Sequence, residues 1–378
     1  MANSLCDEEW QLVRTFLPDD LDASARATRA LTRARGFGDA ETLLRVLLLH
    51  IAGGLSLAQA SLRAEELGWT KISAVALFKR LRSAQAWLQE LCGAVLARQV
   101  SGAAWPLPGR RFRAVDASDI REPGATGSSW KLHYSIALPS LQCDYAAFTD
   151  CRQGERLQNF PLQAGDVILA DRAYGKRGQL AALREAGADA IVRVHPPAFP
   201  TLEVDSAETD LPVAWAEKLA QLPAVGAGEW RVAFRHQQKR YEVRVCAVRK
   251  SQTAAAEARR KAELESRRRG YQLNVQSPAM ADYVVVLTTL PKEELSAEQV
   301  LELYRCRWQV ELAFKRLKSL LHLSAVPKSR SDCARAWMQG KLLEALLLER
   351  LLEEARALSP WGYRLGRGVP LAPLPGSA

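Results

Sequence analysis

The sequence predicts an α/β protein: a mixed β-sheet with helices on its faces, preceded by an all-α N-terminal domain. Three observations predict it. Apolar residues recur at helical spacing through about the first hundred residues. The period changes from 3.6 to 2 just after "AAWPLPGR" at 103–110, a stretch that reads as a linker. Beyond it, short apolar strand patterns alternate with helical ones, the order expected of a mixed sheet covered by helices.

Residues 1–102 form the helical domain. "ETLLRVLLLHIAGGLSLAQASLRAEELGW" carries helix-spaced apolar positions and breaks at Gly53-Gly54. "TKISAVALFKRLRSAQAWLQELC" follows, with Ser73 able to cap a helix whose outer side carries Lys79, Arg80 and Arg82. Helix, short turn and basic helix is the outline of a helix-turn-helix DNA reader; a plain helical bundle with a solvated basic face has the same outline. Arg26, Arg29, Arg33 and Arg35 make a second, less diagnostic basic stripe.

Residues 110–195 begin the sheet. "RFRAVDASDI", "SWKLHYSIAL" and "DYAAFTD" read as three strands, "GDVILADRAYG" as an apolar strand ending at Asp171 with a turn at Gly175, and "QLAALREAGADAIVRV" as helix and strand. From 196 to 283 the texture changes to a β-rich, basic insertion. "EWRVAFRHQQKRYEVRVCAVRK" alternates around a hairpin near His236–Lys239, and "AAAEARRKAELESRRRG" is a strongly basic helix. The sheet resumes over 284–330, opened by the buried strand "DYVVVLTTL" and followed by a helix over "LYRCRWQVELAFKRLKSLL". Residues 331–378 hold an apolar helix and, from Pro360, a Pro/Gly-rich tail.

Composition narrows the function classes. The 378 residues include 52 Lys and Arg against 42 Asp and Glu, a net charge of +10. That excess suits a polyanionic partner, nucleic acid above all, and equally a basic housekeeping enzyme. The seven cysteines are scattered, odd in number and without a CxxC or Cys/His cluster, which argues for free thiols in a reducing cytosol rather than zinc or a disulfide framework. The N-terminus lacks a signal pattern, and the longest apolar runs are too short for a membrane span. These features place the protein in the cytoplasm, with no membrane partner.

The helix after Glu302 has an unusual face. At about 100° per residue, Tyr304, Arg307, Glu311 and Lys318 fall within an arc of roughly 60°. Leu303, Val310, Phe314, Leu317 and Leu321 flank this stripe on one side, and Leu301, Trp308 and Leu312 on the other. A polar stripe between two apolar shoulders fits a helix lining a cleft. Arg307 and Glu311 alone fit equally well a common i, i+4 ion pair. Two further acids weigh in: Asp116 in "RAVDAS" and Asp171 in "VILADRAYG", both at or near the ends of apolar strands, where α/β sites form. A carboxylate there is costly to bury without a cation. Carboxylates from two strands and a helix would form a hard-oxygen site for Mg²⁺ or Mn²⁺. Two such ions about 4 Å apart can activate a water or a 3′-hydroxyl and stabilise the leaving oxygen of a phosphodiester.

With these residues in place, the chain resembles the DDE transposases of the IS4 family of bacterial insertion sequences. "YRCRWQVELAFKRLK" resembles the family's Y-x2-R-x3-E-x6-K signature, all four positions being present; "VDAS" and "ADRAYG" resemble the motifs around the first and second catalytic Asp, and "VVVLTTLP" is also typical. The resemblance spans about residues 110–325. It implies an RNase H-like catalytic core with a mostly β insertion, and a metal site of Asp116, Asp171 and Glu311 for Mg²⁺ or Mn²⁺, as two ions. It implies DNA contacts from Tyr304, Arg307 and Lys318, and from Arg259, Arg260, Lys261 and Arg267–Arg269 of the basic insertion. It also implies nicking at the element's ends, a hairpin intermediate, 3′-OH attack on target DNA, a homodimer on DNA and association with the nucleoid when bound. Asp119 and Glu122 are rival acids, but Asp119 lies three residues after Asp116 and so points to the other face of a continuing strand. His133 stands either near the metals or in the core, Trp130 either stacks on an extruded base or fills the sheet, and His195 reads as structural. Three other functions remain open: a regulator that binds ends without cutting, a simple metal-dependent nuclease, and a tyrosine recombinase using Tyr304. The recombinase lacks the H-x-x-R cluster it would need upstream.

Overall fold

The computed structural model describes residues 10–32, 36–98, 107–138 apart from 123, 125 and 128, 140–204, 211–270, 280–326 apart from 325, and 331–357. Arg33, Arg35, residues 103–106 of the expected linker and the tail from Pro360 lie outside these residues.

A helical segment over residues 10–15 opens the described chain, and five helices follow: α1 (Leu21–Ala27), α2 (Ala40–Ile51), α3 (Leu57–Glu66), α4 (Ala74–Ser83) and α5 (Gln85–Ala97). The starts of the first four of these five follow from capping chemistry. Asp20, Asp39, Ser56 and Ser73 each accept from a backbone N–H of the first turn, and Ser56 forms a capping box with Gln59. The last helix among the described residues, α11 (Ser331–Ala357), returns to pack on α2, α4 and α5. Gly340 permits that return, because a Cβ there would stand 2.4 Å from Ile51 Cδ1.

A nine-stranded mixed sheet follows, in the order β3-β2-β1-β4-β5-β9-β8-β7-β6. Its strands are β1 (Arg111–Ile120), β2 (Trp130–Leu138), β3 (Cys143–Asp150), β4 (Asp166–Ala170), β5 (Asp189–Arg193), β6 (Leu202–Glu203), β7 (Ala227–His236), β8 (Lys239–Arg249) and β9 (Tyr283–Thr288). The first three form an antiparallel meander. Then β4 runs parallel to β1, and β5 parallel to β4. β9 pairs antiparallel with both β5 and β8, so the strands contributed by residues 202–249 extend the same sheet. Helices α6 (Arg177–Glu185) and α7 (Trp215–Ala220) belong with the hydrophobic cluster of one sheet face, which contains Val115, Ile168, Leu180 and Trp215. The other cluster contains Phe112, Ala114, Leu132 and Tyr134, and it is continuous with the N-terminal helices and α11. The basic helix α8 (Gln252–Arg269) is capped by Ser251 and ends at Gly270 with φ +67.

Past β9 the structure differs from the single helix read in the sequence. It forms α9 (Ala297–Cys306), a break at Arg307, α10 (Trp308–Lys315) and a π-helical turn over Arg316–Leu320. At the break, Arg307 N–H bonds Tyr304 O at 3.1 Å and Val310 N–H bonds Arg307 O at 3.2 Å. Local i→i−3 bonds therefore replace the α-helical register there. Lys318 sits in the wider turn, so a uniform 100° step does not describe its direction.

Candidate active site

Parallel register brings Asp116 and Asp171 together. The last registered β1–β4 pair is Ala114↔Leu169, and each aspartate lies two residues further along its strand direction. Asp116 pairs in register with Tyr134 on β2. Local amides hold each carboxylate: Ala117 N–H bonds Asp116 Oδ1, and Ala173 N–H bonds Asp171 Oδ1, both at 2.8 Å. α10 packs on β1 and β2 and delivers the third acid. Arg307 Nη2 bonds Glu311 Oε1 at 2.5 Å, and Arg307 Nη1 stands 3.8 Å from Asp116 Oδ2. One guanidinium thus spans the two carboxylates.

The electrostatics are strained on the acid side. Burial pushes the Asp116 carboxyl up to about 7; Asp171 and Glu155 add to the rise, while the Ala117 amide and Arg307 oppose it. Glu155 is a neighbour the sequence did not single out. Its backbone carbonyl accepts from Gln179 Nε2 at 3.2 Å and its carboxylate from Lys131 Nζ at 3.1 Å. Tyr174 lies beside the same acids, fully buried, and its hydroxyl is held neutral by burial and then by Asp116, Glu155 and Asp171. Arg193, at the C-terminal end of β5, was also missed. Burial lowers its pKa, and the charges acting on it come from Tyr304, Arg172, Arg307 and Asp171. The available signal was an arginine ending the apolar run "DAIVR", the same placement that singled out Asp171.

The remaining expected residues fall as follows. Tyr304 is buried, with Arg307 5.9 Å from its ring centroid. Lys318 Nζ bonds Asp119 O at 2.8 Å. Asp119 pairs in register with Lys131, whose ammonium binds its carboxylate at 2.9 Å and that of Glu155 at 3.1 Å. Glu122 accepts from Trp130 Nε1 at 2.7 Å, and the Arg335 guanidinium covers the Trp130 ring at 4.6 Å. His133 is buried, bonds Thr149 Oγ1 at 2.9 Å and is pushed down to about 4 by burial and then by Lys131. Lys79 is exposed; Arg80 reaches Ala30 O at 3.5 Å, and Arg82 pairs with Asp332 at 2.7 Å. On α8, Arg260, Arg267 and Arg268 are exposed, Arg259 lies 3.4 Å from Asp282, and Lys261 pairs with Glu257. A cavity of about 650 Å³ between α8, β5 and β9 is lined by Arg172, Arg193, His195, Lys250 and Lys261, with Glu257 and Glu265 as its acids.

Residues 140–347 match the family described as "Transposase DDE domain". The transposase for insertion sequence element IS421 of Escherichia coli is 35% identical over 369 residues, covering 93% of this chain and 96% of its own. The chain belongs to the DDE transposases. InsL of insertion sequence element IS186A, from Escherichia coli (strain K12), is 35% identical over 363 residues with the same coverage. A piggyBac transposase in a synaptic complex with hairpin DNA overlays with a TM-score of 0.39 at 9% identity, covering 96% of this chain and 86% of that one; so distant a likeness carries no argument. In this DDE transposase the matched segment holds Asp171 and Glu311 but begins after Asp116, which rests on its own strand geometry.

Among the described residues no three His, Cys, Asp or Glu side chains converge closely enough to hold a metal ion. The donor chemistry at Asp116 and Asp171 nonetheless suits a hard divalent cation: partly buried, all-oxygen and short of positive charge. Glu311 is turned onto Arg307 instead. No helix among the described residues is long and apolar enough to cross a membrane.

Proposed function

We propose that this transposase is a member of the IS4 group that cleaves DNA at the ends of its insertion sequence and joins the freed 3′-OH to target DNA. Asp116, Asp171 and Glu311 are its acidic triad. The observation that carries this reading is the parallel register of β1 and β4, which sets Asp116 and Asp171 each two residues beyond its last pair, with Arg307 bridging Asp116 and Glu311. The strand order β3-β2-β1-β4-β5, antiparallel then parallel, supports an RNase H-like core of residues 110–195 and 284–330, with 196–283 as its basic insertion and 1–102 as the DNA-reading domain. Divalent Mg²⁺ or Mn²⁺ ions, when bound, activate the attacking oxygen and stabilise the leaving one. The chain's own residues hold and orient the phosphodiester. Arg307 and Lys318 take phosphates flanking the cut, and Arg193 with the cationic cavity beside it extends that positive surface. A hairpin on the transposon end and a homodimer on DNA complete the reading. Tyr304 is buried beneath Arg307, which favours a wall of the phosphate cleft over a recombinase nucleophile.

The test is cleavage of a plasmid carrying the gene's own flanking DNA, by wild type and Asp171→Ala, with Mg²⁺ and with EDTA. Mg²⁺-dependent cuts at the flanks, lost in the variant while end binding stays within a few-fold, are expected. Retained cutting by the variant overturns the triad. Binding without cuts under every condition moves the function to an end-binding regulator.

A further inference from the structure

We infer that Tyr174 is a positioning residue of the cleavage site, its hydroxyl donating a hydrogen bond to an oxygen held between Asp116, Asp171 and Glu155 when the site is engaged. The inference rests on the DNA-cleaving reading above and adds to it a residue outside the acidic triad and the Tyr-Arg-Glu-Lys stripe.

Tyr174 has no exposed surface, yet its Oη has no hydrogen-bond partner. A buried hydroxyl without a partner forfeits the bonds it made to water, so folded proteins rarely retain one without a use. Nothing about the ring's placement is loose. Its backbone N–H bonds Asp171 O at 3.3 Å, its carbonyl accepts from Lys176 N–H at 2.8 Å, and Phe160 packs at 6.2 Å between centroids. The turn itself is pressed against β5, since a Cβ at Gly175 would stand 3.0 Å from Arg193 O. The charged groups acting on the hydroxyl are Asp116, Glu155 and Asp171. Glu155 is held in turn by Lys131 and Gln179. A rigidly placed hydroxyl that feels three carboxylates and bonds to none of them is left free to bond an oxygen brought in among them.

Two oxygens have the right chemistry, a water gathered by the carboxylates and a non-bridging oxygen of the phosphodiester, and both are better held by a fixed donor in a water-poor site. Tyr174→Phe removes the hydroxyl and little else. Three readouts follow: cleavage of flanking DNA, Mn²⁺ affinity without DNA by calorimetry, and the melting temperature in EDTA. Cleavage should fall about tenfold or more, with end binding within a few-fold and an unchanged or higher melting temperature. Mn²⁺ affinity reduced several-fold places the donor on the water; unchanged affinity with slowed cleavage places it on the phosphate. Wild-type cleavage together with wild-type Mn²⁺ affinity overturns the inference, and so does a lowered melting temperature, which marks a core tyrosine. Should wild type neither bind Mn²⁺ nor cut, the cleavage reading fails first and takes this inference with it.

Discussion

Asp116 should destabilise the metal-free protein, and Asp116→Asn should show it. The carboxyl is lifted from 3.8 to about 7, chiefly by burial. At about 1.36 kcal/mol per tenfold change in proton affinity, the ionised form costs the fold up to about 4 kcal/mol. Asn also forfeits the Arg307 contact at 3.8 Å, so the expected gain is smaller, about 1–3 kcal/mol. The sign follows from proton counting. Between pH 4 and pH 7 the folded state holds a proton on Asp116 that the unfolded state has lost, so the stabilisation present below pH 4 drains away as the pH rises to about 7. The assay is urea denaturation of both proteins in EDTA across pH 4 to 9. Their difference curve isolates Asp116: the variant should gain on wild type steadily up to neutral pH and hold its lead above it. Mg²⁺ should stabilise wild type and leave the variant nearly unmoved, while the variant no longer cuts DNA. A variant less stable than wild type at pH 8, or a flat difference curve, would refute the argument that Asp116 is a buried acid awaiting a cation.

Two other perturbations test separate parts of the molecule. Arg307→Ala should weaken binding to end DNA and reduce the slope of log affinity against log salt by about 1, measured by fluorescence anisotropy; an unchanged slope would mean that Arg307 serves only Asp116 and Glu311. Arg244→Met should cost about 3–5 kcal/mol in urea denaturation. That buried guanidinium bonds Leu290 O and Leu295 O, both at 2.9 Å, and Glu229 at 2.8 Å, tying β8 to the lead into α9. A loss under 1 kcal/mol would show that the two carbonyls find other donors.

Much of this architecture was written in local pattern. The switch of period after 110 marks where the sheet begins, and Ser73 and the Gly53-Gly54 break bound helices as their chemistry dictates. The hairpin expected at His236–Lys239 is the β7–β8 turn. What the sequence could not display is what register and packing decide. That β9 would bridge β5 and β8 depends on pairings between distant segments. The break at Arg307 is invisible to a constant helical step, because neither proline nor glycine marks it. Glu155 and Tyr174 became site neighbours only when β1 and β4 were laid side by side. Arg82 shows the reverse limit: a basic helix face looks solvated in one dimension, yet α11, some 250 residues later, supplies Asp332 to meet it.

Within the site the charges are matched to one another. Asp116 carries a cost that Arg307 offsets in part from 3.8 Å, and the same guanidinium occupies Glu311. On the proposed assignment, a DNA phosphate is the natural competitor for Arg307, since it offers the same bidentate geometry with more charge. Moving Arg307 onto DNA removes the positive charge nearest Asp116 and frees Glu311 in one step. Both changes raise the demand of the acidic pocket for a cation. Binding of DNA and of metal should therefore favour each other, and by linkage the factor must be the same in both directions. On that assignment, an arginine four residues before its glutamate, which in the sequence could pass for an ordinary surface pair, is where the two loading steps of the proposed reaction would meet.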